Sequence, residues 1–482
     1  MAGSNSLWTM KEVTGVAHAR AGTGNWSATG VSIDSRTVQP GDLFIAIAGD
    51  NSDGHAYVAD AVKKGAVAAI VSRPVDGVDA EKLLIVDDTF KALQELGQAS
   101  RARTAASIIA VTGSVGKTGT KEMLAVAFAT LGQTHASIKS YNNHWGVPYS
   151  LSTMHAGTDY GIFEVGMNHA GEIAPLSEMI QPDVSIITTV EAVHAGNFPN
   201  GEEGIADAKA EIFDGMKEGG TVILNADNQW FDHLCKKASA KNLKIISFGE
   251  NEKADVRLAG FLVAANGSRI EADVMGERVS FTMQSIGKHL ALNALSALAA
   301  IKAVDGDVKK AARAIGKIEP LAGRGKRELL DLGDAENPVV LIDESYNASP
   351  VAMKAAFKVL AMIDPGRGGR RIAVLGDMYE LGADGPRLHK ELALPLEMAG
   401  VQLVYTSGPL MKNLYDSLPQ DKRGAHVDDT KELAKIVPEV LVPGDVVMVK
   451  GSRGPGEKPR MQLVVEALRA LPDKLKKKGL AR

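Results

Sequence analysis

The sequence predicts an α/β protein of three domains, and three observations lead to this prediction. Short apolar runs alternate with helical patterns over most of the 482 residues, which is typical of a mostly parallel sheet covered by helices. The length corresponds to about three domains of ordinary size. The apolar run 108–111 ends in a glycine-rich turn, followed by Lys117-Thr118 and a helical pattern beginning near Lys121. This order of strand, turn and helix indicates a P-loop type of domain.

The alternation of elements divides the chain into segments. We expect a smaller N-terminal α/β domain over 1–105, a central P-loop-type domain over 106–322 and a C-terminal Rossmann-like domain over 323–482. The N-terminal domain has predicted strands at 43–47 and 66–71, with a helix at 56–64. The central domain has predicted strands at 160–165, 184–189, 221–225 and 244–248, an antiparallel appendage at 254–283 and a helix at 289–304. A polar linker at 323–337 precedes predicted strands at 339–342, 371–375, 403–406 and 446–449.

Composition and charge exclude several classes of protein. With 45% hydrophobic residues, 23% charged residues and a net charge of −4, the chain lacks the basic character of a nucleic-acid-binding protein. No apolar stretch approaches the ~20 residues of a membrane span, and no signal-peptide pattern is present. The single cysteine, Cys235, excludes an intrachain disulfide and fits a reducing compartment. We therefore expect a cytoplasmic protein that has no nucleic-acid or membrane partner. A monomer is a separate expectation that composition does not decide.

The glycine-rich turn has the features of a phosphate-binding loop. Backbone N–H groups and a helix N-terminus face the anion, the lysine neutralises it, and the threonine hydroxyl reaches a magnesium ion. The loop is a narrower variant of the general pattern, because Val111 stands where that pattern has glycine. The alternative is a chance glycine-rich turn. The predicted nucleotide-binding residues of the loop are Thr112, Gly113, Ser114, Val115, Gly116, Lys117 and Thr118.

Polar residues follow several predicted strands. Glu164 closes a central strand, where a carboxylate is well placed to hold magnesium; the alternative is a surface glutamate. His194 and Lys209 follow further along the chain, and physics alone leaves open a structural histidine and a solvent-exposed lysine. The four C-terminal strands end in polar or glycine-containing tips at 343–347, 376–378, 407–408 and 450–453. Because ligands bind at the carboxyl ends of strands in open α/β sheets, we expect these tips to form one functional edge.

The loop and several other strings together resemble a known family. Residues Thr112 to Thr118 resemble the TGxxGKT loop of the Mur ligases, which extend the peptidoglycan precursor. Five further segments are similar to family strings in the same order: 34–36 with 40–44, 142–148, 164–169, 376–382 and 450–453. Several of these strings are most similar to the member that adds D-alanyl-D-alanine. Gly119, Leu290 and Ser349 differ from the residues common in the family.

The resemblance implies roles for individual residues. Lys209 matches a lysine that the family carries as a carbamate; with His194 it would hold a second magnesium ion, while Thr118 and Glu164 hold the first. The implied catalytic residues are Lys117, Lys209, His194 and Glu164. Implied ATP contacts beyond the loop are Asn293 for adenine, and Arg324 and Asp343 for phosphate and ribose. Implied substrate contacts are Asp34, Ser35, Arg36, Asn142, Asn143, Asn347, Lys450, Ser452 and Arg453.

The resemblance also implies an activity. It is the ATP- and Mg²⁺-dependent joining of D-alanyl-D-alanine to UDP-N-acetylmuramoyl-tripeptide through an acyl phosphate, the final cytoplasmic step of precursor peptide synthesis. The N-terminal domain would bind the UDP-muramoyl substrate, and the C-terminal domain would bind D-alanyl-D-alanine and close on ATP.

Two alternatives remain. A folylpolyglutamate- or cyanophycin-type ligase would share the loop and the lysine, but Asp34-Ser35-Arg36 and Asn142-Asn143 argue against it. A non-catalytic nucleotide-binding switch gives no reason for His194 and Lys209.

Overall fold

The computed structural model describes residues 6–21, 25–49, 52–192, 197–264, 267–454 and 460–477. The chain forms two compact units. The first comprises residues 1–190, 203–257 and 293–311, and the second comprises 191–202, 258–292 and 312–482. Within the described ranges, no helix combines the length and apolar character needed to cross a bilayer.

The N-terminal part of the first unit is a small sheet with helices. Its strands are Trp8–Thr9 (β1), Arg20–Ala21 (β2), Ser27–Ala28 (β3), Gly30–Ser32 (β4), Asp42–Ile45 (β5), Ala48–Gly49 (β6), Ser52–Asp53 (β7), Ala68–Val71 (β8) and Leu83–Ile85 (β9). Its helices are Met10–Val16 (α1), Val58–Lys63 (α2) and Thr89–Ala102 (α3). The main sheet has the order β2-β9-β8-β5-β4, in which only β2 is antiparallel. The strands predicted at 43–47 and 66–71 and the helix at 56–64 are confirmed, with shorter bounds.

The next part of the chain contains the parallel sheet on which the site is built. Its strands are Ser107–Thr112 (β10), Thr134–Ala136 (β11), Tyr160–Glu164 (β12), Val184–Ile187 (β13), Thr221–Asn225 (β14), Lys244–Gly249 (β15), Val256–Ala264 (β16), Gly267–Val274 (β17) and Glu277–Met283 (β18). Its helices are Lys117–Phe128 (α4), Gly146–Ser152 (α5), Ile173–Ile180 (α6), Gly201–Ala210 (α7), Phe231–Ala240 (α8), Lys288–Ala303 (α9) and Val308–Ile315 (α10). In the first unit, β11-β12-β10-β13-β14-β15 are parallel neighbours, and β16 begins parallel to β15.

This strand order positions the site. Strand β10 lies between β12 and β13, with Val111 paired to Glu164 and Thr112 paired to Ile187. The glycine-rich loop, Glu164 and the residues after β13 therefore lie at the same edge of the sheet. The interior strands are apolar on both faces, as in β10, where Ile108 to Val111 are fully buried. In the second unit, β17 and β18 pair antiparallel within the appendage predicted at 254–283.

Helices α3 and α5 pack the N-terminal sheet against the parallel sheet of the first unit. Trp8 Nε1 donates a hydrogen bond to the carbonyl of Ser152 (2.8 Å), and the Arg103 guanidinium lies 3.8 Å from the centre of the Trp8 ring. The Ser100 hydroxyl donates to the carbonyl of Met154 (2.7 Å). These buried contacts explain why the two sheets belong to one compact unit.

The C-terminal part of the second unit is a doubly covered sheet. Its strands are Lys326–Leu330 (β19), Val339–Glu344 (β20), Arg371–Gly376 (β21), Leu403–Ser407 (β22), Arg423–Val427 (β23) and Val446–Lys450 (β24). Its helices are Pro350–Ala361 (α11), Gly385–Lys390 (α12), Ala393–Met398 (α13), Met411–Ser417 (α14), Thr430–Val440 (α15), Gln462–Arg469 (α16) and Leu471–Lys477 (α17). The order is β19-β20-β24-β21-β22-β23, parallel except for β19. Separate apolar clusters cover its two faces.

Two local predictions are wrong, and one strand was not predicted. The linker predicted at 323–337 contains β19, which pairs antiparallel with β20; its sequence Lys-Arg-Glu-Leu-Leu is polar because it is a half-exposed edge strand. Strand β23 was not predicted, for the same reason. Helix α4 begins at Lys117 and not near Lys121, because its first turn follows the glycine loop and has no apolar periodicity.

Candidate functional site

The glycine-rich loop depends on two glycines. Gly113 has φ +148° and Gly116 has φ +89°, both in the region that favours glycine. A Cβ at Gly113 would collide with the Thr188 hydroxyl, and one at Gly116 would lie 2.8 Å from Asn293 Oδ1. The loop is thus packed against Thr188, which follows β13, and against the predicted adenine contact Asn293.

Lys117 and Thr118 open helix α4 directly after the loop. Lys117 Nζ donates a hydrogen bond to the carbonyl of Gly113 (2.6 Å), so the side chain folds back over the loop. The Thr118 hydroxyl lies 3.1 Å from the Ser140 hydroxyl. The Thr188 hydroxyl donates to the carbonyl of Val115 (2.6 Å) and fastens the loop from the other side. The cation and the hydroxyl that phosphate binding requires therefore stand at the N-terminus of one helix.

Glu164 is buried at the end of β12, with only 1% of its surface exposed, so the alternative of a surface glutamate is wrong. Its Oε1 accepts a hydrogen bond from Asn142 Nδ2 (2.7 Å). Its Oε2 is buried, with no hydrogen-bond partner in the described part of the chain. A buried oxygen of this kind is costly unless something binds it, and carboxylate oxygen is the ligand type that Mg²⁺ prefers.

Lys209 lies in α7 and is 4% exposed, so the alternative of a solvent-exposed lysine is also wrong. Burial, and then the nearby charge of Lys117, lower the pKa of the Lys209 ammonium well below its usual value. A substantially lowered pKa favours the neutral amine. His194 lies outside the described residues. Within the described ranges, no three His, Cys, Asp or Glu side chains are grouped so as to hold a metal ion.

The predicted muramoyl-substrate residues of the first unit form local turns. Asp34 accepts hydrogen bonds from the Arg36 backbone N–H (2.9 Å) and Nε (3.0 Å), and these bonds hold the pKa of the Asp34 carboxyl below its usual value. Lys64 Nζ donates to the Ser35 carbonyl (2.6 Å). Asn143 Oδ1 accepts from the backbone N–H of Gly146 (3.0 Å) at the start of α5. Asn142, in contrast, contacts Glu164.

In the second unit, Asp343 is 1% exposed, and both of its carboxylate oxygens accept hydrogen bonds. Its carboxylate accepts hydrogen bonds from the Gly323 N–H (3.0 Å), the Ser345 hydroxyl (2.6 Å) and Arg469 Nη2 (3.0 Å). The Arg324 guanidinium lies 4.2 Å from the centre of the Tyr346 ring. The predicted phosphate contact Arg324 lies just before β19, and the predicted ribose contact Asp343 lies near the end of the adjacent strand β20.

The predicted dipeptide residues also meet in the second unit. Lys450 Nζ donates to Glu344 Oε2 (3.0 Å) and to the carbonyl of Asn347 (3.0 Å). The Ser452 hydroxyl donates to the carbonyl of Ala348 (3.0 Å). Arg453 faces the Tyr346 ring at 5.9 Å. The backbone N–H of Ser452 donates to the carbonyl of Asp377 (3.0 Å) after β21, and the Asp377 carboxyl packs against Gly408 after β22. The four strand tips therefore lie at one edge, as expected.

Four residues near the site were missed by sequence reasoning. Ser137 Oγ accepts from the Glu164 N–H (3.3 Å), and Lys121 Nζ donates to the Ser137 carbonyl (2.9 Å). Ser140 and Thr188 contact the loop region as described above. The position of Thr188 after a strand was a usable signal, whereas nothing local marks the other three.

Comparison with known proteins identifies the family of the chain. The family descriptions "Mur ligase family, catalytic domain", "Mur ligase middle domain" and "Mur ligase, glutamate ligase domain" match residues 27–102, 111–301 and 330–453, respectively. The UDP-N-acetylmuramoyl-tripeptide–D-alanyl-D-alanine ligase of Rickettsia prowazekii (strain Madrid E) is 35% identical over 88% of this chain and 92% of its own. The chain belongs to the Mur ligase family.

Two further relatives of this Mur ligase extend the comparison. The ligase of the same name from Escherichia coli (strain K12) is 32% identical over 95% of this chain and 98% of its own. The crystal structure of MurF from Acinetobacter baumannii superposes with a TM-score of 0.82 at 27% identity, covering 96% and 98% of the two chains. The predicted three-domain α/β fold, with a central P-loop-type sheet and a Rossmann-like C-terminal domain, is confirmed. The protein is an ATP-dependent amide ligase of peptidoglycan synthesis.

Proposed function

We propose that this Mur ligase joins D-alanyl-D-alanine to UDP-N-acetylmuramoyl-tripeptide, through an acyl phosphate, as a cytoplasmic step of precursor synthesis. The observation that carries the proposal is the strand edge of the first unit. There a phosphate-type loop follows one strand, and a buried carboxylate, one oxygen of which has no hydrogen-bond partner among the described residues, ends the neighbouring strand. The buried Lys209 of α7 lies close enough to Lys117 for the two charges to interact. The relatives that bear this activity in their names support the choice of substrates.

The reaction begins with the terminal carboxylate of the tripeptide, which attacks the γ-phosphorus of ATP. A carboxylate oxygen–phosphorus bond forms, the bond to the bridging oxygen breaks, and ADP leaves. The amine of D-alanyl-D-alanine then attacks the acyl carbon and loses a proton, and inorganic phosphate departs with the former carboxylate oxygen. Lys117 and the backbone N–H groups of the loop neutralise and orient the phosphates.

The residues present fit magnesium. The Oε2 of Glu164, which has no hydrogen-bond partner in the described ranges, and the hydroxyl of Thr118 would hold one ion. As the family resemblance implies, His194 with carbamylated Lys209 would hold a second. When bound, magnesium would offset phosphate charge. Addition of carbon dioxide requires the neutral form of the Lys209 amine, which its burial beside Lys117 favours.

The three segments of the chain divide the substrates between them. In this proposal residues 1–105 bind the UDP-muramoyl substrate through Asp34, Ser35 and Arg36, and residues 106–322 bind ATP, with Asn293 at the adenine. Residues 323–482 supply Arg324 and Asp343 to the nucleotide and bind the dipeptide, for which the contacts are Asn347, Lys450, Ser452 and Arg453. Asn142 and Asn143 also face the muramoyl substrate.

Incubation of the pure protein with ATP and substrates tests the proposal. We expect ADP, phosphate and the UDP-muramoyl pentapeptide in equal amounts, and only when the UDP-tripeptide and D-alanyl-D-alanine are both present. Ligation of glutamate to a folate, or of amino acids to cyanophycin, in place of this product would establish the alternative ligases. Nucleotide hydrolysis without an amide product under any of these conditions would establish a nucleotide-dependent switch.

A further inference from the structure

The segment between β11 and α5 contacts both residues that are proposed to hold the first magnesium ion. Ser140 lies 3.1 Å from the hydroxyl of Thr118, and Asn142 donates a 2.7 Å hydrogen bond to Oε1 of Glu164. Ser137 also accepts from the backbone N–H of Glu164 (3.3 Å). One short stretch of chain thus contacts both the side chain and the backbone of Glu164.

The backbone of Asn142 is itself held in place. The main-chain carbonyl of Asn142 accepts a hydrogen bond from the backbone N–H of Gly166 (2.8 Å). The side chain lies directly over Gly166, where an added Cβ would be 2.9 Å from Asn142 Cγ. The glycine two residues after Glu164 therefore leaves the space that the asparagine occupies, which fixes the direction from which the amide approaches the carboxylate.

The partner of Glu164 Oε1 is a neutral amide. A lysine or arginine at this position would pair with the carboxylate and compensate its charge. Asn142 instead orients the carboxylate and leaves its negative charge in place, while Oε2 is buried without a protein partner in the described ranges. This arrangement suits a carboxylate that is kept ready for a cation, since the ligands of metal ions are commonly oriented by hydrogen bonds from surrounding residues.

We propose that Asn142 is a positioning residue for Glu164: its amide orients the carboxylate so that Oε2 is presented to magnesium. This inference rests on the proposed function, because it takes Glu164 as a magnesium ligand. It gives Asn142 a role in metal and nucleotide binding in addition to the muramoyl-substrate contact predicted from its sequence context. The neighbouring Asn143 has no such role, since its side chain caps the start of α5.

Binding of Mn²⁺ to the full-length enzyme saturated with ADP tests the proposal, with electron paramagnetic resonance reporting the free ion. We expect Asn142→Ala to weaken Mn²⁺ binding by about 10- to 100-fold, the range typical for residues that orient metal ligands. Asn413→Ala is the matched control, because it removes an asparagine whose amide donates to the Leu410 carbonyl in the second unit and which has no assigned role in the site; it should bind Mn²⁺ as the wild type does. Asn142→Leu, which preserves the volume and removes the donor, should behave like Asn142→Ala and decides the result if the alanine variant does not fold.

The Glu164→Gln background separates this inference from the proposed function. We expect Glu164→Gln to weaken Mn²⁺ binding and the addition of Asn142→Ala to cause little further loss, because the two residues act through one contact. If Glu164→Gln binds Mn²⁺ normally, the proposed magnesium site itself is wrong. If Glu164→Gln weakens binding but both Asn142 variants retain wild-type affinity, only the role of Asn142 is wrong. If Asn142→Ala lowers the Mn²⁺ affinity equally in the wild-type and Glu164→Gln backgrounds, that result would also overturn the role of Asn142.

Discussion

The two units differ in whether the buried charged groups at their strand ends are paired with other protein groups. In the first unit, Glu164 has a buried oxygen with no hydrogen-bond partner among the described residues, and Lys209 is buried near Lys117, with a lowered pKa. In the second unit, Asp343 accepts hydrogen bonds from three neighbouring residues, and Lys450 is paired with Glu344. Buried polar groups normally satisfy one another, and exceptions cluster where a ligand completes the site. The strand edge of the first unit (the first edge) therefore has buried polar groups that a ligand would pair. At the strand edge of the second unit (the second edge), the buried charges are already paired with protein groups and stabilise the loops there.

Lys117→Ala tests the first edge with the largest expected effect. Removal of a preorganised charge that faces the phosphates should lower kcat by about 10²- to 10³-fold or more. The melting temperature should change little, because Lys117 is only partly buried and its contact is with the carbonyl of Gly113. Steady-state kinetics and thermal unfolding measure the two quantities. Turnover within a factor of about two of wild type would contradict the phosphate-loop assignment.

A matched pair of variants sharpens the contrast between the edges. Asp343→Ala should lower the free energy of unfolding by about 3 kcal/mol, since it leaves Arg469 and the Ser345 hydroxyl without their shared acceptor. Glu164→Gln should leave stability within about 0.5 kcal/mol of wild type or raise it, because the amide oxygen can still accept from Asn142 while a buried charge is removed. Denaturant unfolding measures both. A larger loss from Glu164→Gln than from Asp343→Ala would reverse the comparison.

The lowered pKa of Lys209 predicts how the free energy of unfolding depends on pH. In carbon-dioxide-free buffer, the unfolded chain binds a proton at Lys209 over a pH range in which the folded chain does not. Stability should therefore rise with pH between the folded pKa and the usual lysine pKa, by up to about 1.4 kcal/mol per pH unit, and fall as the pH is lowered through that range. Lys209→Met should remove this part of the slope. Identical slopes in the two proteins would contradict the buried neutral amine.

The smallest effect is expected at the exposed turn of Asp34 and Arg36. Arg36→Ala should raise the KM for the UDP-tripeptide by about tenfold, equivalent to about 1.4 kcal/mol, and leave the KM for ATP nearly unchanged. The Arg36 side chain is largely exposed, so folding should not be affected. Initial-rate measurements with each substrate varied in turn decide the outcome. A large change in the KM for ATP alone would refute the assignment of residues 1–105 to the muramoyl substrate.

Local signals in the sequence were sufficient for the α/β class, the parallel strands and the loop. The interior strands are continuous apolar runs because both faces of a parallel sheet are buried. The loop is recognisable because Gly113 and Gly116 adopt backbone conformations that other residues disfavour. The edge strands β19 and β23 escaped prediction because half-exposed edges carry polar residues, and their pairing is decided by the neighbouring strand.

The sequence by itself determined which residues are present at the strand ends, whereas their environment was decided by the tertiary structure. Burial of Lys209 and the shift of its pKa result from the packing of many distant residues and from Lys117, 92 positions earlier in the chain. The contact between Asn142 and Glu164 joins residues 22 positions apart, and it forms because strand β12 and the segment before α5 meet at one sheet edge. Desolvation and hydrogen-bond geometry depend on such contacts. These tertiary contacts decided which of the predicted polar residues can bind a ligand and which stabilise the fold.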